Sequence, residues 1–169
     1  MKGSSMKNFN SSVAIYKEQL KQGDIKNAYE GLMKYVTSMK TRFSNNFPEQ
    51  FSFGNVSPGY LDFTYFPFFN SFLRERKLRF GIVLNHSEIR FELWLMGQNA
   101  EVQKKYWHLL KNSQWNKDRV AMPQYSVLES ILVTNPDFEN LDALTVAIEK
   151  AATDTCRDIL NHINVLKEG

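Results

Sequence analysis

Two consecutive stretches in the middle of the chain alternate strictly in polarity. From Leu78 to Leu84, Leu78, Phe80, Ile82 and Leu84 share one parity, and Arg79, Gly81 and Val83 share the other. From Ile89 to Met96, Ile89, Phe91, Leu93 and Leu95 alternate with Arg90, Glu92, Trp94 and Met96. A period of two predicts strands, since successive side chains point to opposite faces. A turn around His86-Ser87 joins them and sets Leu84 opposite Ile89, Ile82 opposite Phe91, Phe80 opposite Leu93 and Leu78 opposite Leu95. That register keeps both apolar sets on one face. It also places Val83 beside Arg90, Gly81 beside Glu92 and Arg79 beside Trp94 on a mixed second face. The space above Gly81 suits a closely packed helix or a ligand niche.

Other stretches change period. Ser11 or Ser12 can cap a first helix bearing Val13, Tyr16 and Leu20, which ends near Gly23. Asp24 can cap a second, whose Ile25, Ala28, Tyr29, Leu32, Val36, Met39 and Phe43 recur every three or four residues and read as core. Pro48 ends that signal, and residues 49–58 read as loop. Tyr60 to Phe66 predicts a strand limited by Pro67, and residues 69–77 a polar connector with one helical turn. Asn99 can cap a helix to about Leu110. Residues 111–124 are irregular, with Trp115 as a plug over the core or an exposed residue. Ser126 to Val133 fits a fourth strand, although buried helix also fits a short apolar run. Asn135-Pro136-Asp137 marks a turn. A helix from about Glu139 to Leu166 carries Leu141, Leu144, Ile148, Ala152, Thr155, Ile159 and Ile163, suited to packing on the sheet or to a homodimer.

The expected order is α-α-β-β-β-α-β-α: an α+β fold in which an antiparallel sheet of three to four strands packs with an N-terminal helical hairpin, a middle helix and a long C-terminal helix. Residues 1–10 read as a polar tail without the apolar segment of a signal peptide, and residues 11–169 as a single domain.

Composition narrows the functional classes. With 169 residues and 13 Phe the chain can bury a substantial core. A net charge of +3, spread along the chain, disfavours nucleic acid as a partner. No apolar run reaches transmembrane length. The single cysteine, Cys156, excludes an intramolecular disulfide and fits a cytoplasmic location. His86, His108 and His162 lie in separate elements without ligand spacing, and no phosphate-loop, dinucleotide or nucleophile-elbow motif occurs. No metal and no cofactor are expected.

One constellation remains. If the Leu61/Phe63/Tyr65 side of the first strand joins the oily face, then Asp62, with Tyr60 and Thr64, joins Arg79, Arg90, Glu92 and Trp94 on the other. These residues form either a cross-strand ladder of ion pairs or a shallow pocket. In the pocket, the arginines hold an anionic or amide group and Trp94 stacks a flat one. The site so defined comprises Tyr60, Asp62, Arg79, Arg90, Glu92 and Trp94. It suits a non-catalytic binding or regulatory protein that meets a small molecule or a protein partner, as a monomer or as a homodimer through the last helix. The alternative is an enzyme using Asp62 and Glu92 as a metal-binding or acid–base pair.

The segments Tyr16–Tyr35, Arg90–Asn99, Gln103–Trp107 and Asn135–Phe138 resemble an uncharacterised family of small bacterial proteins over nearly the whole chain. The resemblance implies a bacterial cytoplasmic origin and brings no activity, ligand or catalytic residue. The element order is also similar to that of the restriction-endonuclease-like fold, whose acids hold magnesium on the second and third core strands. Here the third strand reads Glu92-Leu93-Trp94, with Trp where that family has Lys, and Asp62 lies on the first strand. That resemblance implies a degenerate, non-cleaving relative.

Overall fold

The computed structural model describes residues 8–166. They fall into two compact units that divide within the second helix, one ending at Tyr35 and the other starting at Val36. The order is α1 (Phe9–Gln22), α2 (Asp24–Asn46), β1 (Ser52–Phe53), β2 (Phe63–Phe69), α3 (Ser71–Glu75), β3 (Leu78–Asn85), β4 (Arg90–Gly97), α4 (Ala100–Leu110), β5 (Leu128–Val133) and α5 (Leu141–Asn164). The class and order match the expectation. The sheet gains one short strand, β1, from the segment read as loop.

In the first unit the Asn8 side chain, and not Ser11 or Ser12, caps α1 by accepting from Ser11 N–H at 2.8 Å. Residues 8–10, read as tail, thus belong to the cap and first turn, and residues 1–7 lie outside the described residues. Gly23 ends α1 at φ 86°, a conformation without penalty only for glycine. Its carbonyl receives Asn27 N–H, so Gly23, and not Asp24, occupies the cap position of α2. No residue of α1 is buried. The α2 stripe is core only in its C-terminal half: Val36, Met39 and Phe43 are buried, whereas Ile25 is 47% exposed.

The second unit is built on an antiparallel meander in the order β1-β2-β3-β4-β5. Hairpin β3–β4 pairs Leu84 with Phe91, Ile82 with Leu93 and Phe80 with Leu95, two residues from the expected register. The turn is longer than a two-residue loop: Asn85 pairs with Arg90, leaving residues 86–89 as the connection. Asn85 Oδ1 accepts from Glu88 N–H, and Ile89 takes φ 45° to re-enter the strand. Because the slip is even, both faces keep their composition.

Strand β2 differs more. It starts at Phe63 and runs through Pro67 to Phe69. The N–H and C=O of a strand residue point to the same side. The Pro67 carbonyl accepts from Gly54 N–H, so the missing proline N–H faces that side and costs the β2–β3 ladder nothing. Thr64, Phe66 and Phe68 pair with Leu84, Ile82 and Phe80 on the oily face, and Phe63 and Tyr65 lie on the other. The expected face assignment for this strand is therefore inverted.

The oily face meets α2 through Phe43, whose ring is 5.8 Å from that of Phe66. Helix α5 buries Leu144, Ile148, Ala152, Cys156, Ile159 and Ile163, and Glu149 receives Arg42 Nε and Asn46 Nδ2 of α2, each at 3.0 Å. Leu141, the first residue of the expected stripe, stays 43% exposed. Asn99 caps α4 as expected, and residues 128–133 are strand, not helix. Trp115 is half-buried, edge-on to His162. Among the described residues no helix is long and apolar enough to cross a membrane.

Candidate functional site

The second sheet face holds a small core of its own. Val83, Trp94 and Met96 are buried there, with Phe63 and Tyr65 packed against them. Gly81 belongs to this face, opposite Trp94. Neither a helix nor a niche occupies the space above it. A Cβ there would lie 2.7 Å from the terminal methyl of Met96, so the thioether side chain fills the gap.

Beneath this core Glu92 is almost fully buried and its carboxylate is fully engaged. Oε2 accepts from Asn85 Nδ2 and Arg90 Nε, each at 2.9 Å, and Oε1 accepts from Trp94 Nε1 at 2.9 Å. A buried carboxylate is tolerable only when such donors replace its water. Asn85 adds rigidity, since its Oδ1 also closes the hairpin turn. The sequence pattern of a mixed polar face is thus an internal network: Arg90, Glu92 and Trp94 alternate on one strand face and bond to one another.

Asp62 plays a different part. It sits in the bend before β2, and its Oδ1 accepts from the backbone N–H of Tyr60 at 2.8 Å and of Phe63 at 2.6 Å. Those two amide donors hold its carboxyl below the usual carboxylate range, with a smaller contribution from His86. The loop is tight: Gly59 has φ 72° and Leu61 φ 62°. It leaves Tyr60 95% exposed and turned away from the sheet core. Asp62 C=O accepts from His86 N–H, which fastens this loop to the β3–β4 turn. Thr64 makes a second link. Its hydroxyl donates to Pro58 C=O at 2.7 Å, so at 2.7 Å from His86 Nε2 it accepts, which puts a proton on Nε2. Partial burial lowers the His86 pKa, opposed by the charge of Asp62.

A hollow of about 340 Å³ opens beside this loop, with Phe63, Tyr65, Trp94 and Tyr125 on its aromatic side and Asp62 and Arg79 among its polar lining. Phe63 is a hinge of this aromatic group, 4.8 Å from the Trp94 ring and 6.3 Å from Tyr125. Of the six residues singled out in the sequence, Asp62, Arg79 and Trp94 line the hollow. Arg90 and Glu92 support it from below, and Tyr60 stands outside. Asp62 and Glu92 engage disjoint sets of partners, and among the described residues no three His, Cys, Asp or Glu side chains gather as a metal site requires. Parity with an oily-face Leu61 puts Phe63 and Tyr65 on the oily face, whereas the structure packs them against Trp94 on the other. Pro58-Gly59, a turn dipeptide four residues before Phe63, is the signal that would have shortened the strand. Tyr125, in an irregular segment, carries no such signal.

No curated protein and no solved structure matches this chain. A family described as "Domain of unknown function (DUF7000)" matches residues 9–163, and the chain belongs to that family.

Proposed function

We propose that this is a non-catalytic binding protein that takes a small molecule with a planar group and an anionic substituent into the hollow on the second sheet face. One observation carries the reading. Arg79 lines an aromatic hollow and, among the described residues, its guanidinium makes no hydrogen bond or ion pair within the chain. Arginine is suited to carboxylate or phosphate through paired N–H donors, and the neighbouring ring edges suit a flat apolar body. The volume of about 340 Å³ is that of a small ligand.

The floor supports recognition better than turnover. Glu92 has both oxygens committed to three donors, and Asp62, whose Oδ1 takes two backbone amides, is held below the usual carboxylate range and is a weak base. Trp94 contributes its ring alone, because its N–H is spent on Glu92. A bacterial cytoplasmic setting is part of the same proposal, supported by one buried, unpaired cysteine.

The test is a thermal-shift and calorimetric screen of small aromatic carboxylates and phosphates against wild type and Arg79→Gln. Ligand at one hundred times its Kd should stabilise wild type by about 2.7 kcal/mol. Arg79→Gln should keep the unliganded stability and lose most of that gain. Equal stabilisation of both proteins would refute the proposal.

A further inference from the structure

We infer that the chain carries a second binding site, on the opposite face of the sheet, for a small amphiphile with an apolar body and a carboxylate head. The site is a cavity of about 500 Å³ within the unit that starts at Val36. Its walls are Phe43 of α2, Phe47 just beyond that helix, Phe51 after the following turn, Phe68 of β2 and Leu160 of α5. The cavity exists because α5 narrows there. Its buried stripe runs Ile148, Ala152, Cys156, Ile159, and the two small side chains in the middle line the space facing the rings. A larger residue at either position would intrude on it.

The walls are preformed. Phe43 and Phe47 pack at 5.9 Å, Phe51 meets Phe68 edge-on at 5.0 Å, and Phe68 packs on Phe80 at 5.5 Å. Rings fixed by one another do not have to be ordered when a ligand enters, which lowers the entropic cost of binding. An open apolar cavity of this size in water is a loss of contacts that a hydrocarbon or ring system would restore.

The lining specifies the head group. Arg157 is its one charged residue, and no acid lines the space. Its ion-pair contacts, 3.4 Å to Asp154 and 3.7 Å to Asp158, are long and leave guanidinium N–H groups for a further acceptor. Gln50 and Asn161 also line the cavity, are exposed, and make no side-chain hydrogen bond among the described residues. A cation with two unengaged amides beside it is complementary to a carboxylate, and an apolar chain or ring would lie against the phenylalanines. This site shares no lining residue with the Arg79 hollow, so either can fail alone.

Dodecanoate, below its micelle-forming concentration, and its methyl ester are the probes for calorimetric titration. Wild type and Arg79→Gln should bind dodecanoate equally. Arg157→Gln should weaken dodecanoate at least tenfold and change the ester less than twofold. Ala152→Phe, which puts a ring into the cavity, should weaken both at least tenfold. No binding to wild type, unchanged binding to Ala152→Phe, or equal effects of Arg157→Gln on acid and ester would overturn the inference. If Ala152→Phe does not fold, Ala152→Leu serves instead, because its smaller side chain enters the same space. Ala152→Leu should weaken both probes severalfold, and unchanged binding would place the ligand elsewhere and overturn the site.

Discussion

Trp94 donates its indole N–H to the carboxylate of Glu92, two residues before it on the same strand face, at 2.9 Å. The residue that reads as an aromatic recognition surface thereby becomes a wall for a buried charge. The carboxylate holds three donors, so its removal strands all of them. Glu92→Ala should destabilise the protein by about 3–5 kcal/mol, the range for breaking a buried pair on one side. Trp94→Phe loses one hydrogen bond and some area, and should cost roughly half as much or less. Urea unfolding monitored by circular dichroism separates the two. A Glu92→Ala cost below about 1 kcal/mol would mean that the network contributes little.

The faces of β3 and β4 are legible from parity alone, because an even slip in register leaves every side chain on its own face. The register itself is not legible. It depends on whether Asn85 and Arg90 pair before the turn, and that rests on Asn85 capping Glu88 N–H and on Ile89 accepting a positive φ, neither of which periodicity encodes. Strand β2 shows the other limit. Tyr60-Leu61-Asp62 continues the alternation of Phe63 to Phe66, yet those residues form a loop because Asp62 satisfies the amides of its own bend in place of a sheet partner. The apolar stripe of α2 is real over its whole length. It reports capacity for burial: Val36, Met39 and Phe43 are buried and Phe43 meets Phe66, whereas Ile25 is 47% exposed.

His86 makes stability depend on pH near neutrality. Its folded pKa lies below 6.5, because partial burial disfavours the imidazolium. The unfolded chain therefore binds the proton first as pH falls. The contribution of neutral His86 is complete above 6.5 and is lost as pH drops through the folded value. The bond to Thr64 needs only Nε2–H, which both protonation states supply, so the loss comes from desolvating charge and not from breaking that contact. Stability measured by urea titration should fall between pH 7 and pH 5 in wild type and should fall less in His86→Gln. Parallel curves would show that His86 does not titrate differently on folding. Asp62 acts in a lower window. Its depressed pKa gives stability present above 3.8 and lost below it, and Asp62→Asn should flatten that limb.

Two glycines should respond unequally to the same change. At Gly59 a Cβ meets the carbonyl of Phe63 and lies 2.6 Å from Asp62 Oδ1, and φ is already +72°. Neither neighbour can retreat, since Asp62 is held by the amides of the bend. Gly59→Ala should cost about 2 kcal/mol or more, by strain at a left-handed position and loss of the Asp62 bonds. At Gly81 the nearest atom is the Met96 methyl, the far end of a flexible side chain. Gly81→Ala should therefore cost less than about 1 kcal/mol once Met96 changes rotamer, helped by the lower entropy of an unfolded alanine. Thermal unfolding of both variants tests the contrast, and a larger loss at Gly81 would mean that Met96 is clamped.

Helix α1 leaves Phe9, Val13, Tyr16 and Leu20 exposed and buries no residue. Its apolar side chains keep from 38% (Leu20) to 83% (Phe9) of their surface, and apolar burial contributes about 25 cal/mol per Å², so a helix that fully buries no side chain contributes little to stability. A chain beginning at Gly23 should unfold within about 2 °C of the full-length midpoint, with an unchanged denaturant slope. Circular dichroism should lose signal equivalent to the 14 residues of α1 and no more. A midpoint drop of 5 °C or more, at a protein concentration low enough to exclude self-association, would show that this stripe is covered in solution.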